Sequence, residues 1–101
     1  MRVVNKRQWR GEGVYVGRPS ALGNPHPIGW CKLCQREHDR AGAIQNYRRW
    51  LWDKIKQRDA AVMQALGQLG EDSVLICWCA PAPCHGDVIV RAVGWLRSAG
   101  E

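Results

Sequence analysis

A short apolar run, Val74–Trp78 (VLICW), limits the folds open to this chain more than any other feature of its sequence. Consecutive apolar residues of this kind are typical of a buried strand. Two segments with helical periodicity precede the run, and a third follows it. Because a strand that leaves for helices and returns to the same sheet normally forms a right-handed parallel crossover, the run predicts the last strand of a small α/β sheet.

Two further β-branched runs occupy residues 2–6 (RVVNK) and 13–17 (GVYVG) near the N-terminus. A polar stretch containing a glycine separates them, so we expect two strands joined by a short connection. Together with residues 73–78, they predict a three-stranded mixed sheet.

Apolar residues recur at helical spacing in three segments, 40–57, 59–69 and 87–98. Asp39 and Asp87 stand at the starts of the first and third segments, and aspartate is among the residues that best cap a helix N-terminus. We therefore expect three helices that cover the sheet.

The composition is that of an ordinary globular protein, with 46% hydrophobic and 24% charged residues. One α/β domain over residues 1–101 is expected. The sequence shows no membrane-spanning run and no N-terminal signal segment, which predicts a cytoplasmic protein with no membrane partner. The formal net charge of +6 favours nucleic acid or phosphorylated ligands as partners, although the same charge also keeps a small protein soluble.

Two loops are expected to meet at one edge of the sheet, residues 17–25 and residues 79–87. Ligands of open parallel sheets bind where loops leave the carboxyl ends of the strands. In the first loop, Arg18, Ser20 and Asn24 are candidate anion-binding residues, and the glycines let the backbone approach a ligand closely. The alternative is that its glycines and prolines only form a tight turn.

The second loop holds the candidate catalytic residues. Cys84 and His85 stand directly before a helix N-terminus, where the helix dipole and unpaired amides lower the pKa of a thiol. Cys84 is therefore a candidate thiolate, and His85 a candidate general acid–base, in a hydrolytic or transfer reaction. Asp87 completes the set, with helix capping as its simpler role. Cys77 is expected to be a small buried residue. Whether the protein is an enzyme stays open.

Cysteine spacing supports a separate hypothesis, a zinc site. Cys31 and Cys34 form a C-x2-C pair, and Cys79 and Cys84 form a second pair, so that four thiolates can surround one tetrahedral ion. Without an export signal, five cysteines are more typical of thiols or metal ligands than of disulfides. Three histidines can replace a thiolate: His26, His38 and His85.

An alternative function uses the basic side of the first helix. The protein would then be a zinc-stapled module without catalysis that binds nucleic acid or an acidic host protein. The residues involved are Arg40, Arg48, Arg49, Lys54, Lys56 and Arg58. An exposed tryptophan among arginines can stack on a base, although tryptophan more often covers a hydrophobic edge.

Three motifs, in their order and spacing, resemble the phage and bacterial family called domain of unknown function 4326. They are VYVGRPSALGNP, AIQNYRRWL and CWCAPAPCHGDVIV, and the similarity spans roughly residues 2–95. The resemblance implies a small cytoplasmic α/β protein, often encoded by phages and mobile elements. It also implies recurrent positions at Gly17, Arg18, Pro19, Ser20, Gly23, Asn24, Pro25, Tyr47, Cys77, Cys79, Pro81, Cys84, His85, Gly86 and Asp87.

Two features depart from the family pattern. His26 stands where family members usually carry an aromatic residue, and the Cys31–Cys34 pair looks like a local addition. The site common to the family would then be the two strand-end loops without the four-thiolate set. For this chain, the sequence predicts a small zinc-binding α/β protein with a nucleotide or phosphate-ligand site formed by residues 17–25 and 79–87.

Overall fold

The computed structural model describes residues 1–25, 29–32, 35–78, 80, 82 and 84–99. The α/β class, the three predicted strands and the three predicted helices are confirmed, with ends shifted by a few residues. The elements are β1 (Arg2–Asn5), β2 (Val14–Tyr15), β3 (Gly29–Cys31), β4 (Arg36–His38), α1 (Arg40–Lys56), α2 (Ala60–Gly67), β5 (Val74–Cys77) and α3 (His85–Ala99).

The main sheet has the order β1–β5–β2, and both outer strands run parallel to β5. Val3 and Val14 both pair with Leu75, one from each side. The expectation of a mixed sheet was therefore wrong in strand direction, because residues 6–13 carry the chain back across the sheet and β5 pairs between β1 and β2. The most apolar strand thus has a hydrogen-bonding neighbour on each side.

A second sheet of two antiparallel strands, β3 and β4, was not predicted. Trp30 pairs with Glu37 across it, and the Gln35 amide donates to the Cys31 carbonyl at 2.8 Å. Gln35 adopts a positive φ of 57°, a conformation usually left to glycine or asparagine. Because no Asn-Gly or similar dipeptide marks this turn, the sequence carried no hairpin signal there.

Side-chain caps begin the first two helices. Asp39 Oδ1 accepts from the Gly42 amide at 2.7 Å, which confirms the predicted cap of α1. Asp59 Oδ1 accepts from the Val62 amide at 3.1 Å at the start of α2. Each bond satisfies one of the amides that a helix start leaves unpaired.

The core lies between the helices and one face of the main sheet. Leu75 and Cys77 on β5 are buried in it, whereas Val74 and Ile76 on the opposite face are half-buried. All three helices contribute buried residues to this core, including the fully buried Tyr47 of α1. Helix α3 contacts both β1 and β5, and this packing holds its N-terminus against the carboxyl edge of the sheet.

Candidate functional site

The carboxyl ends of all three parallel strands lie at one edge of the sheet. Asn5 ends β1, Tyr15 ends β2 and Cys77 ends β5. The expectation that the loops after β2 and β5 meet there is confirmed, since His85 Nε2 lies 2.6 Å from the Val16 carbonyl oxygen.

His85 is held in one tautomer by that contact. A carbonyl oxygen can only accept, so Nε2 carries the proton and donates it. Burial lowers the pKa of His85 and outweighs the hydrogen bond to Val16, which favours the charged form; the positive charge of Arg18 lowers the pKa further. The neutral ring therefore has its unprotonated nitrogen at Nδ1, the atom that can accept a proton or bind a metal ion.

Tyr47 supports the first loop from inside the core. Its ring meets the His85 ring edge-on with centroids 4.9 Å apart, and its hydroxyl donates to the Leu22 carbonyl at 2.7 Å. Burial raises the pKa of Tyr47 above its ordinary value, so the hydroxyl stays a donor. Asn24 Nδ2 adds a bond to the Ala43 carbonyl of α1 at 3.2 Å. The amide of Asn24, a predicted anion ligand, thus also ties the loop to α1.

Cys84 is the N-cap of α3 and is only 3% exposed. Its Sγ accepts from the Gly86 amide at 3.3 Å, while its own amide donates to Asp87 Oδ2 at 3.2 Å. The two bonds resemble a capping box, except that a thiol replaces the usual hydroxyl and accepts from the second helical residue, Gly86, instead of the third. A Cβ at Gly86 would lie 2.8 Å from Val3 Cγ1, so only glycine fits between the cap and β1. The prediction that Asp87 stands at the N-cap was wrong in position, because α3 begins at His85 and Asp87 lies in its first turn, where its carboxylate accepts from the Cys84 amide.

The surroundings of the Cys84 thiol act against its ionisation. Burial raises the pKa of Cys84 to about 12, and its contact with Cys77, whose Sγ lies 3.3 Å away, acts in the same direction. The negative charge of Asp87 also opposes a thiolate. Desolvation thus acts against the expected thiolate and outweighs the helix N-terminus, and the thiolate role of Cys84 stays a prediction. Cys77 is buried, as predicted.

The other two predicted anion-binding residues differ in their surroundings. The Arg18 side chain is exposed, and its peptide bond to Pro19 is cis. The Ser20 amide donates to the Gly17 carbonyl at 2.9 Å, but Ser20 Oγ is buried without a hydrogen-bond partner in the part of the chain that the structure describes. An unpaired buried hydroxyl costs about 1–3 kcal/mol, so fold stability does not explain the presence of this side chain.

An aromatic and cationic rim, which the sequence analysis did not single out, borders the same edge. It consists of Lys6, Arg7, Tyr15 and Trp78. Trp78 is 50% exposed; its Nε1 donates to Tyr15 Oη at 3.0 Å, and Tyr15 Oη donates to the Arg18 carbonyl at 2.9 Å. Lys6 Nζ lies 4.7 Å from the Tyr15 ring centroid and 5.2 Å from that of Trp78. Arg7 Cζ lies 5.7 Å from the Trp78 centroid.

Neighbouring residues fix the geometry of the rim. Asn5 Nδ2 donates to the Trp78 carbonyl at 3.0 Å and holds its backbone. A side chain at Gly17 would strike the Tyr15 hydroxyl, so glycine leaves room for that ring. Strand alternation is the sequence signal that could have identified Trp78. Because successive side chains of a strand point to opposite faces, Trp78 faces away from the core if Cys77 points into it.

Two of the four predicted zinc ligands, Cys34 and Cys79, lie outside the described residues, as does His26. Cys31 is fully buried at the end of β3, and Cys84 caps α3. Within the described ranges, no group of three or more histidine, cysteine, aspartate and glutamate side chains is placed to hold a metal ion. The zinc site stays a prediction.

Part of the basic side of α1 forms a second positive surface. Arg48 and Arg49 are exposed and line a shallow groove of 370 Å³ together with Lys56. Lys54 instead forms an ion pair with Asp59 at 3.8 Å. The groove thus carries three basic side chains and one acidic side chain, Asp53.

One family model matches residues 2–95 of the chain. The chain belongs to the family described as domain of unknown function (DUF4326). The DUF4326 match confirms the resemblance stated from the three motifs and covers both strand-end loops. No curated protein and no solved structure matches the chain. No helix of the described residues is long and apolar enough to cross a membrane.

Proposed function

We propose that the carboxyl edge of the main sheet binds a phosphorylated ligand of the nucleotide class. The observation that carries the proposal is positive charge at this edge: Lys6 and Arg7 follow β1, and Arg18 follows β2. All three side chains are exposed. Ligands of open parallel sheets bind at the carboxyl ends of the strands, and guanidinium and ammonium groups suit phosphate oxygens.

Arg18 is the residue we assign to the phosphate. Its backbone carbonyl is fixed by Tyr15 Oη at 2.9 Å, while its side chain extends into solvent. Ser20, in the same loop, has a buried hydroxyl without a hydrogen-bond partner among the described residues. The N-terminus of α3 is a poor anion site here, because the carboxylate of Asp87 already occupies it.

Binding is the function proposed, and catalysis would be an addition to it. Cys84 and Asp87 are engaged in capping α3. Among the three candidate catalytic residues, His85 is the one with suitable chemistry, because its neutral ring can accept a proton at Nδ1. We assign any proton transfer in this site to His85.

Isothermal titration calorimetry tests the proposal. ATP, AMP and inorganic pyrophosphate are titrated at low salt into the protein and into Arg18→Gln, with Arg91→Gln on the exposed side of α3 as the matched control. We expect binding that weakens about tenfold in Arg18→Gln, the loss of one charged hydrogen bond, and stays unchanged in the control. Folded protein that binds none of these compounds, or equal affinities in the two variants, would contradict the proposal.

A second candidate function is a zinc-stapled module that binds nucleic acid or an acidic host protein through α1. The exposed pair Arg48 and Arg49 beside the 370 Å³ groove favours it. Elemental mass spectrometry of protein purified without an affinity metal tests the staple, with about one zinc per chain expected and its loss in Cys31→Ser/Cys34→Ser. Metal-free wild-type protein would refute the staple, and unchanged nucleic-acid binding by Arg48→Gln/Arg49→Gln would refute the surface.

A further inference from the structure

We infer that the ligand of this edge is a single-stranded nucleic acid, and that the indole of Trp78 is the platform on which one of its bases stacks. The inference rests on the proposed function, because it names the ligand of the same edge. The contacts among the rim residues carry this inference, and none of these residues belongs to the buried core.

The Trp78 side chain is both exposed and fixed. Half of its surface faces solvent, while Tyr15 Oη holds its ring nitrogen and Asn5 holds its backbone. A ring already ordered in the free protein loses little conformational freedom when a ligand stacks on it. Because the indole N–H is taken by Tyr15, the ring offers a π face without a donor. A π face of this kind can stack on any of the bases.

Lys6 and Arg7 can each give up the contact with the Trp78 ring and bind a phosphate instead. Lys6 Nζ and Arg7 Cζ lie 5.2 and 5.7 Å from the Trp78 ring centroid, near the outer limit of a cation–π contact. An exposed contact of this kind is weaker than a base stacked on an aromatic ring. A base can therefore displace the two cations, whose long side chains then reach the flanking phosphates. With Arg18, which follows β2 at the same edge, they supply three positive charges for several phosphates.

The open position of Trp78 favours a strand over a free nucleotide. Small-molecule sites enclose most of their ligand, whereas Trp78 stands on a rim with half its surface in water. A strand adds phosphate contacts on either side of the stacked base. The strand must be single, because the bases of a duplex are already stacked on one another and paired.

Exposure alone does not mark the site. Trp30 and Trp95 are 58% and 53% exposed, but over the described residues neither ring has a lysine or arginine above it. Trp95 packs edge-on against Trp52, with centroids 5.1 Å apart. Trp95 therefore provides a control of matched exposure, on the part of α3 distant from the sheet edge.

Fluorescence anisotropy with a labelled short oligothymidylate, and with an abasic strand of the same length, tests the inference. We expect Trp78→Leu to weaken oligothymidylate binding by roughly 5–150-fold and to leave abasic-strand binding unchanged, whereas Trp95→Leu changes neither. Lys6→Gln/Arg7→Gln should weaken both strands and lower the salt slope by about 1.4, with Arg91→Gln on the exposed side of α3 as the control for charge. Arg48→Gln/Arg49→Gln reports separately whether the strand binds to α1. The exposed Lys6 and Arg7 positions keep this test valid if Trp78→Leu misfolds.

The failures of the two proposals are distinguishable. If pyrophosphate and ATP bind in an Arg18-dependent way, but oligothymidylate does not bind or binds equally well to Trp78→Leu, the stacking platform is refuted and the phosphate site stands. If no phosphorylated compound binds, both are refuted. If the α1 double variant loses oligothymidylate binding and the Lys6/Arg7 variant does not, the strand binds to α1 and the inference is overturned.

Discussion

The two sides of the end of β5 differ in what their side chains contact. On the inner side, Cys77, Cys84 and Tyr47 are buried, and the Cys84 thiol and Tyr47 hydroxyl have partners within the protein. On the outer side, Trp78 is 50% exposed, and Lys6 and Arg7 are exposed. The residues with the most reactive chemistry in the sequence are thus the ones most engaged in packing. The difference teaches that burial decides which of two neighbouring residues is available to a ligand.

The largest effect on stability is expected on the inner side. Tyr47→Ala should lower the free energy of unfolding by about 3–5 kcal/mol, because it leaves a cavity and an unpaired Leu22 carbonyl. Tyr47→Phe removes only the hydrogen bond and should cost about 1–3 kcal/mol. Urea denaturation measures both. Trp78→Leu on the outer side should cost under about 1 kcal/mol. A loss of stability as large as that from Tyr47→Ala would contradict the difference between the two sides.

The next effect concerns thiol reactivity. Because burial raises the pKa of Cys84 to about 12, its thiol should react with iodoacetamide near neutral pH about a hundredfold more slowly than an unburied thiol. Peptide mass spectrometry of native and urea-unfolded protein follows the modification. Rapid labelling of Cys84 in the folded protein would show a thiolate and restore it as a candidate nucleophile.

The pH dependence of stability should reveal both buried groups. The pKa of His85 is lowered on folding, so its contribution is present above about pH 6.5 and is lost as pH falls. The pKa of Cys84 is raised, so its contribution is present below about pH 8.5 and is lost as pH rises towards 12. Urea titrations across this range should give maximal stability between those limits. An acid limb of unchanged slope in His85→Gln would contradict the assignment to His85.

The smallest effect is expected at Ser20, where the free energy of unfolding and the affinity for pyrophosphate should change in opposite directions. Ser20→Ala removes a buried hydroxyl without a partner and should raise the free energy of unfolding by about 1 kcal/mol. If Ser20 belongs to the phosphate site, pyrophosphate affinity should fall in the same variant. Denaturation and calorimetry on one preparation measure both. Greater stability with unchanged affinity would remove Ser20 from the site.

Local signals in the sequence were enough to predict much of the fold. Asp39 as a cap and the helical spacing of Tyr47 and Leu51 define α1, and the apolar run defines β5. Strand direction was not predictable in the same way, because residues 6–13 give no sign that β5 pairs between β1 and β2. The unmarked turn at Gln35 likewise concealed the β3–β4 hairpin.

For the site, the sequence predicted the location better than the chemistry. That two loops meet at the sheet edge followed from strand order, and the His85–Val16 contact confirms it. The raised pKa of Cys84 depends on how deeply the packed structure buries the thiol, which cysteine spacing does not reveal. The rim depends on β1, β2 and β5 bringing Lys6, Tyr15 and Trp78 together.

The most direct test of the central claim, that the rim and not the buried cysteines or α1 meets the ligand, is a nitrogen–proton correlation spectrum of the labelled protein titrated with oligothymidylate. The indole N–H signal of Trp78 is assigned from its absence in Trp78→Leu. We predict that this signal and the backbone amides of Tyr15 and Arg18 shift, while the indole signals of Trp52 and Trp95 do not. Shifts confined to Arg48–Trp52 on α1, or no shift at any residue, would contradict the account.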